Sequence, residues 1–393
     1  MRKTNLFLTT GLLALSLASC GGGPDDGRVR EIAPAGGETV ATDNGISKLS
    51  KAVKATPMQD VWSVKLADTS TLSVSGTTSE TYTSESDKAN NATNTFDVQV
   101  TNPTFEGRFQ GLNGAEVANV KASMEMGGDL SITTKQNNDE AIKVEARGAS
   151  LKTYLDSEYV YVDPRGAKNL FTKAIKAYLG DNGTLLSGMF GSYFDSGYYF
   201  EHGLTNEQMP LIDSEATAEV DNYLSLFSDH AEDYKDFLNV SKDGDEYRFY
   251  LTLTKADLIR IMNDAQNKYG DETSMNASLD FEDELKDSVV NACEFLVTFT
   301  EESITGVSFN IDMEIHETDD ITSTDSAGNE SVIGVTKADI HYSLKGAVSL
   351  GKDAPVIPAE TKNYKDGVKE LEKLMEIIKS ISGSSDSDVS FPF

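Results

Sequence analysis

Cys20, in the stretch "LALSLASCGGGPDD", and Cys293 are the only thiols of the chain, and their surroundings point to different chemistry. Cys293 lies in "CEFLVTF", where it shares one face of an alternating run with Phe295, Val297 and Phe299. A reactive thiol needs cationic neighbours to lower its pKa, and Glu294 acts in the opposite sense. Cys293 therefore reads as a small core residue. Four histidines, His202, His230, His316 and His341, are scattered, and "HETDD" lacks the second histidine of a zinc-binding HExxH helix. No GxSxG is present, and neither "CGGGP" nor "GTTSE" has the lysine and following helix of a phosphate-binding loop. The acidic runs "SLDFEDELKD" and "DDITSTDSAGNE" lack the order of an EF-hand and read as solvated faces. The expectation is a protein with no catalytic residues, no metal site and no cofactor.

What precedes Cys20 is more informative. Arg2 and Lys3 form a positive start, Leu6 to Leu17 a short apolar run, and small residues lead to the cysteine, which is the layout of a secretory signal peptide. The run is too short to span, since about 30 Å of hydrocarbon needs roughly 20 apolar residues. Leu17-Ala18-Ser19-Cys20 resembles the lipobox of bacterial lipoproteins at all four positions. That resemblance implies cleavage before Cys20 and attachment of a diacylglyceryl group to its sulfur. Two acyl chains anchor stably where one does not, at about 0.8 kcal/mol per buried CH₂. With Cys20 consumed, no intramolecular disulfide is expected for Cys293. The chain is expected to be extracytoplasmic and lipid-anchored to the bacterial cell membrane.

Composition narrows the partners. The 393 residues carry 64 acids against 34 bases, a formal net charge of −30. Such a surface is repelled by phosphate backbones and anionic headgroups, so nucleic acid is excluded as a partner and the membrane is met only through the lipid.

The reading divides the chain into a signal peptide at 1–19, a flexible tether at 20–47, one folded domain at 48–382 and a polar tail at 383–393. The tether is rich in glycine, proline and polar residues without sustained period. In the domain, "GVSFNIDMEIHE" alternates Val307, Phe309, Ile311, Met313 and Ile315 with polar residues. "KADIHYSLKG" and "EYRFYLTLT" do the same, as does the run from Val117 to Met126. Further strands are expected at Phe96 to Val100, Phe105 to Phe109, Ile142 to Ala146 and Tyr154 to Val162. Alternation of this kind marks antiparallel strands with one wet face. His316 and His341 fall on outward faces of neighbouring strands, near enough to approach each other. Asp243-Gly244 has hairpin chemistry, and "ETDDITSTDSAGNES" reads as a long protruding loop. Helical spacing appears in "RGAKNLFTKAIKAYLGDNG", capped at Gly180, in the run from Ser214 to Leu238, in "KADLIRIMNDAQNKY" and in "KDGVKELEKLMEIIKSI". The fold class is α+β, with helices gathered on one side of a large twisted antiparallel sheet.

Lipobox, tether, long alternating strands, the tyrosine-rich "SEYVYVD" and helices between strand groups together resemble the lipoprotein-carrier superfamily of LolA and LppX/LprG type. The resemblance covers about residues 51 to 382. It implies an incomplete β-barrel with helices packed on its concave face and acyl chains held in that concavity. The expected function is non-catalytic binding or carriage of a lipid or other apolar ligand. The alternative is a surface interaction protein whose cavity is filled by its own helices and whose acidic exterior meets a protein or wall polymer. A hydrolase without a recognisable signature is a third reading. The aromatic stretch "FGSYFDSGYYFEHG" supplies candidate ligand contacts in Phe190, Tyr193, Phe194, Tyr198 and Phe200, joined by the inward Met124, Met126, Phe309 and Met313. Methionine suits an apolar binding surface because it is flexible and polarizable.

Overall fold

The computed structural model describes residues 28–84, 87–213, 215–217, 219–269, 282, 285–324 and 330–382. Cys20 with its signal motif, Ser214, Asp325 and most of "SLDFEDELKD" therefore lie outside the described residues. In the first half of the chain come β1 (Glu38–Thr39), α1 (Thr42–Ala55), β2 (Val61–Leu66), β3 (Thr71–Tyr82), β4 (Ala92–Gln110), β5 (Lys121–Gln136), β6 (Ile142–Leu155) and β7 (Tyr159–Asp163). They are followed by α2 (Lys168–Phe190), β8 (Tyr198–Glu201), α3 (Val220–Asp229), β9 (Leu238–Asp243), β10 (Glu246–Thr252) and α4 (Lys255–Tyr269). The last elements are β11 (Val289–Phe299), β12 (Ile304–Thr324), β13 (Glu330–Gly351), β14 (Lys365–Asp366) and α5 (Gly367–Ser382).

These strands form one sheet in the order β1-β9-β10-β11-β12-β13-β2-β4-β5-β6-β7-β8-β14, so β1 and β14 are its two edges. β3 continues the line of β2, because both pair with β13 on one side and β4 on the other. Among the described residues every pairing is antiparallel except that of β8 with β14. The α+β class and the large antiparallel sheet are as the alternation predicts. Two expected strands, Phe96 to Val100 and Phe105 to Phe109, are one strand, β4. Its register shifts between Thr101 and Thr104, where Asn102 takes φ 48° and Pro103 offers no N–H.

Other expectations are corrected. The supposed loop after His316 is strand, with Glu317 paired to Ala338 and Thr324 to Glu330, so β12 and β13 form a hairpin far longer than their apolar alternation shows. Tyr154 to Val162 is two strands, because Asp156 accepts hydrogen bonds from the N–H groups of Glu158 and Tyr159, both at 2.9 Å, and turns the chain. Gly180 ends only the first half of α2, with φ 55°, and a second half follows. The helix expected from Ser214 to Leu238 is confined to α3, with turns beyond it. α1, β2 and β3 were not foreseen. β3, "TLSVSGTTSETY", has too many serines and threonines for its apolar face to stand out.

The core lies against the apolar face of β9 to β12. Ile46, Leu49 and Ala52 of α1, Leu226 and Phe227 of α3, and Leu258 and Ile261 of α4 are buried with Phe249, Leu251, Phe295, Phe299, Phe309 and Ile311. Cys293 is there too, 1% exposed. It is not a free thiol, which overturns the expectation that it has no disulfide partner.

The opposite face of the same strands holds Glu294, which is 0% exposed. Its carboxyl oxygens accept hydrogen bonds from the Tyr250 hydroxyl at 2.7 Å, the Asn310 amide at 2.8 Å and the backbone N–H of Ile32 at 3.0 Å. Burial first, and then the neighbouring carboxyl, push the Tyr250 hydroxyl well above its ordinary range. The third donor belongs to the segment 28–40, read from sequence as tether. Instead it is strapped across the outer face. Val29 O accepts from Thr252 Oγ1 at 2.6 Å, Arg28 pairs with Asp257 at 2.9 Å, and Glu31 pairs with Lys345. The segment then pairs with β9 as β1 and passes around that edge into α1. A buried acceptor left without protein partners costs more than its hydrogen bonds contribute net, so Glu294 holds this segment in place.

Replacing Glu294 with alanine orphans two buried donors and frees Ile32, at roughly 1–3 kcal/mol for each group left unsatisfied. Glu294→Ala is expected to lower the thermal midpoint by several degrees and to accelerate hydrogen exchange across 28–40. Unchanged exchange in that segment would show that Glu294 does not retain it.

Candidate functional site

Cross-strand register builds three aligned rows on the apolar face. One runs Ile311, Leu344, Leu72, Val100, Leu130, Ala146 from β12 to β6. The next runs Met313, Tyr342, Val74, Val98, Ile132, Val144, and the third Ile315, Ile340, Gly76, Phe96, Thr134, Ile142. A side chain at Gly76 would meet Asp339 O at 2.5 Å and the Phe96 ring at 3.1 Å, so glycine lets that ring lie across the strand. The ends of the first two rows are covered. Ile311, Met313, Val144 and Ala146 are buried; Ile311 belongs to the core under the helices, and β6, which carries Val144 and Ala146, packs against α2. The middles are not: Val74, Val98, Val100, Leu130 and Ile132 are only half-buried, and Leu72 is 37% exposed. Among the described residues no helix packs extensively on β3, β4 or β5. From β13 to β6 this floor spans four strand gaps, roughly 19 Å at about 4.8 Å each.

The nine candidate contacts do not converge on this floor. Met124 and Tyr198 share a row that runs Leu350, Val64, Gly107, Met124, Thr153, Val162, Tyr198, so they face the same side with two strands between them. Met126 is 43% exposed, near the floor. Phe309 and Met313 are 9% and 7% exposed, and Phe309 belongs to the core, so neither offers an open surface. The aromatic stretch serves packing. Phe194 stacks on Phe171 with ring centroids 4.4 Å apart, the Tyr198 hydroxyl donates to Tyr193 O at 2.5 Å, and the Phe200 ring lies against Gly367 at the start of α5. Phe190 ends α2, and Tyr193 lies in the turn that follows. These rings close the junction of α2, β8 and α5. The half-open positions, Leu72, Val74, Val98, Val100, Leu130 and Ile132, are not among the residues singled out from sequence, and Leu72 and Val74 lie in β3, which was not recognised. The valines of "FDVQV" were the available signal.

That junction is locked by a buried charge. Asp163, 6% exposed, accepts from Arg165 Nε at 2.8 Å, from Arg165 N at 3.1 Å and from the Tyr364 hydroxyl at 3.0 Å, and Arg165 also pairs with Glu360 at 2.7 Å. Burial raises the Asp163 pKa, but Arg165 and Tyr364 outweigh it and the net shift is downward. Burial, and then Asp163, push Tyr364 upward. Burial likewise carries Tyr198 to about 12.

The outer face is polar. His316 pairs with Asp339 at 2.6 Å and His341 with Asp312 at 3.2 Å, while Asn291 donates to Asp312 at 2.9 Å. The two histidines thus meet acids instead of each other, and among the described residues no group of three or more His, Cys, Asp or Glu is placed to hold a metal. Asp319 and Asp320 lie in β12, adjacent in sequence and therefore on opposite faces. Beside the β4 bulge, Asp129 accepts from Asn102 Nδ2 at 2.9 Å and Gly148 N at 2.7 Å, which lowers its pKa. The cleft there, about 370 Å³, is lined mainly by polar groups such as Gln99, Ser131, Glu145 and Arg147. No helix among the described residues is long and apolar enough to cross a membrane. No family model matches the chain, and no curated protein matches it.

The folded pKa of Asp163 lies below its ordinary 3.8, so its stabilisation is complete above that value and is lost as pH falls through the folded pKa. Thermal midpoints are expected to hold from pH 7 to about 5 and to fall below about 4. Asp163→Asn should start lower and lose less on acidification. An equal acid-induced loss in both proteins would remove Asp163 from this role.

Proposed function

We propose that the protein is an extracytoplasmic lipoprotein, anchored through a diacylglyceryl group on Cys20, that binds a lipid or other apolar ligand on the half-open apolar rows of β3, β4 and β5. Acylation of Cys20 and a disulfide between the chain's two cysteines exclude each other, so this reading applies to the form in which the Cys293 disulfide is not made. The observation that carries the binding half of this reading is the contrast along each row, covered at both ends and open in the middle. Soluble domains bury such aligned apolar rows unless a ligand or partner uses them. On this reading the sheet is an incomplete barrel of the lipoprotein-carrier type, with the core helices and α2 as the walls of its concavity. The ligand contacts move from the aromatic stretch to Leu72, Val74, Val98, Val100, Leu130 and Ile132. No chemical step is assigned, and the protein is proposed as non-enzymatic.

One set of observations favours a second reading. Phe309, Met313 and the rings around Tyr198 are already packed by the protein's own elements, as a surface interaction protein with a self-filled cavity would require.

Two measurements test the proposal. Cys20→Ser is expected to move the protein from the membrane to the soluble fraction with unchanged circular dichroism, and retention of the variant on membranes would contradict the anchor. A fluorescent fatty acid is expected to bind the soluble form. Val98→Glu with Ile132→Glu should weaken it by at least about ten-fold, because a carboxylate set against an apolar ligand costs well over 1.4 kcal/mol. No binding by the unsubstituted protein, or equal binding by both, would favour the self-filled alternative.

A further inference from the structure

β6 is much longer than the strand that follows it in the sheet. β7 pairs only with Lys152 to Leu155, so the stretch from Ile142 to Gly148 has β5 on one side and no strand on the other. Which backbone groups lie on the open side follows from register. At the end of β5, Asn137 N donates to Thr93 O at 2.6 Å, so the odd-numbered residues of the distal half of β5 bond β4 and the even-numbered ones bond β6. Leu130, Ile132 and Thr134 are therefore joined to Ala146, Val144 and Ile142. Lys143, Glu145 and Arg147 are left with their three N–H and three C=O groups directed off the sheet. Lys173 of α2 bears out this direction, since its Nζ donates to Glu145 O at 2.7 Å. The other groups of this set have no protein partner among the described residues.

A helix stands beside this open side. Lys173 meets Glu145 and, further along α2, the Tyr178 hydroxyl lies 3.3 Å from Thr134 Oγ1, level with Ile142, so α2 runs along β6 against the direction of the strand. The edge of β6 and the flank of α2 thus form the two walls of a groove. Tyr178, Leu179 and Leu185 of α2 are 50%, 48% and 67% exposed. A side chain at Gly183 would meet Ile175 O at 2.3 Å, so the second half of α2, with Leu185, folds back on the first. Three large apolar side chains left in water on one element mark a contact surface. The charge beside them is opposite to that of the chain. Lys143, Arg147, Lys173 and Lys176 are exposed there, against Glu145 on the same stretch of strand, in a protein of net charge −30. Asp129, next to Arg147, is already committed to Asn102 and to Gly148 N.

We propose that this groove takes an extended acidic segment of a partner protein, which adds to the open edge of β6 as a further strand. The unpaired groups require a peptide backbone, since N–H and C=O repeated at every second residue are what match them. The cations select acids at the partner residues opposite Lys143 and Arg147. The residues between those acids turn to the face that carries Val144 and Ala146, where α2 lies, so apolar side chains suit them. A second copy of the chain does not fit. Its β6 would lie about 4.8 Å away with its own α2 above it, and packed helices need about 8–10 Å. This site is independent of the Cys20 anchor and of what the open rows of β3 to β5 hold.

The probe is the dye-labelled peptide Thr-Asp-Val-Thr-Val-Asp-Thr, whose acids are spaced to meet Lys143 and Arg147, measured by fluorescence anisotropy against the purified full chain. Binding is expected, with slowed amide exchange at Lys143, Glu145 and Arg147. Lys143→Glu with Arg147→Glu is expected to weaken it by at least about ten-fold. The same peptide N-methylated at its aspartates and central threonine, the residues whose N–H groups would face β6, is expected not to bind. That comparison uses the unsubstituted protein, so it is decisive even where the double variant fails to fold. Equal binding of the methylated peptide would show charge attraction without strand addition and overturn the proposal. No binding, unchanged exchange at the three amides, or equal binding by a folded double variant overturns it as well. Sedimentation is expected to show a monomer, and a dimer that Arg147→Glu dissociates would give the edge to a second copy instead.

Discussion

Glu294 is an acid with no access to water, and its two oxygens are satisfied only if three separate parts of the chain meet. Two of them, Tyr250 and Asn310, come from strands flanking its own. The third, the N–H of Ile32, comes from a segment 262 residues away, so the N-terminus must cross the outer face before it can join the sheet. Once there, the chain pairs with β9, rounds that edge and delivers Ile46, Leu49 and Ala52 to the opposite face. The core on one side of the sheet thus depends on a polar contact on the other. The place where the chain leaves the domain depends on it as well.

The second organising constraint is the distribution of helices along a sheet that is wider than they can cover. α1, α3 and α4 gather over β9 to β12, and α2 lies on β6 at a distance. Between them the aligned rows of β3, β4 and β5 keep their apolar side chains half exposed. At the far edge, the buried Asp163 ties β7 to the segment before α5 through Arg165 and Tyr364. That tie explains why the aromatic stretch between α2 and β8 is filled by its own neighbours.

Legibility in the sequence followed local pattern. Strict alternation marked β10 and the first half of β12, and helical spacing marked α4 and α5, because a core face that is continuously apolar imposes its period on the residues. It failed wherever the face was diluted. β3 carries Gly76 and Thr78 where leucine or valine would have shown the period, and the distal half of β12 turns Glu317 and Asp319 to the side that Ile315 faces. The docking of 28–40 was illegible for another reason. Its stability comes from backbone donors and acceptors meeting distant partners, and composition carries no trace of that. The candidate contacts were chosen as apolar residues on one face, and which of those stay uncovered is decided by where helices pack, a property of the whole chain.

The central claim is that the open middle of the apolar rows holds a ligand. It is tested most directly by organic extraction and mass spectrometry of the protein purified from its own cells as the Cys20→Ser form, which carries no attached acyl chains to confuse the result. The account predicts an apolar molecule recovered at about one per chain, and its loss from the Val98→Glu, Ile132→Glu protein. Extracts free of any such molecule, from protein that folds normally, would contradict it.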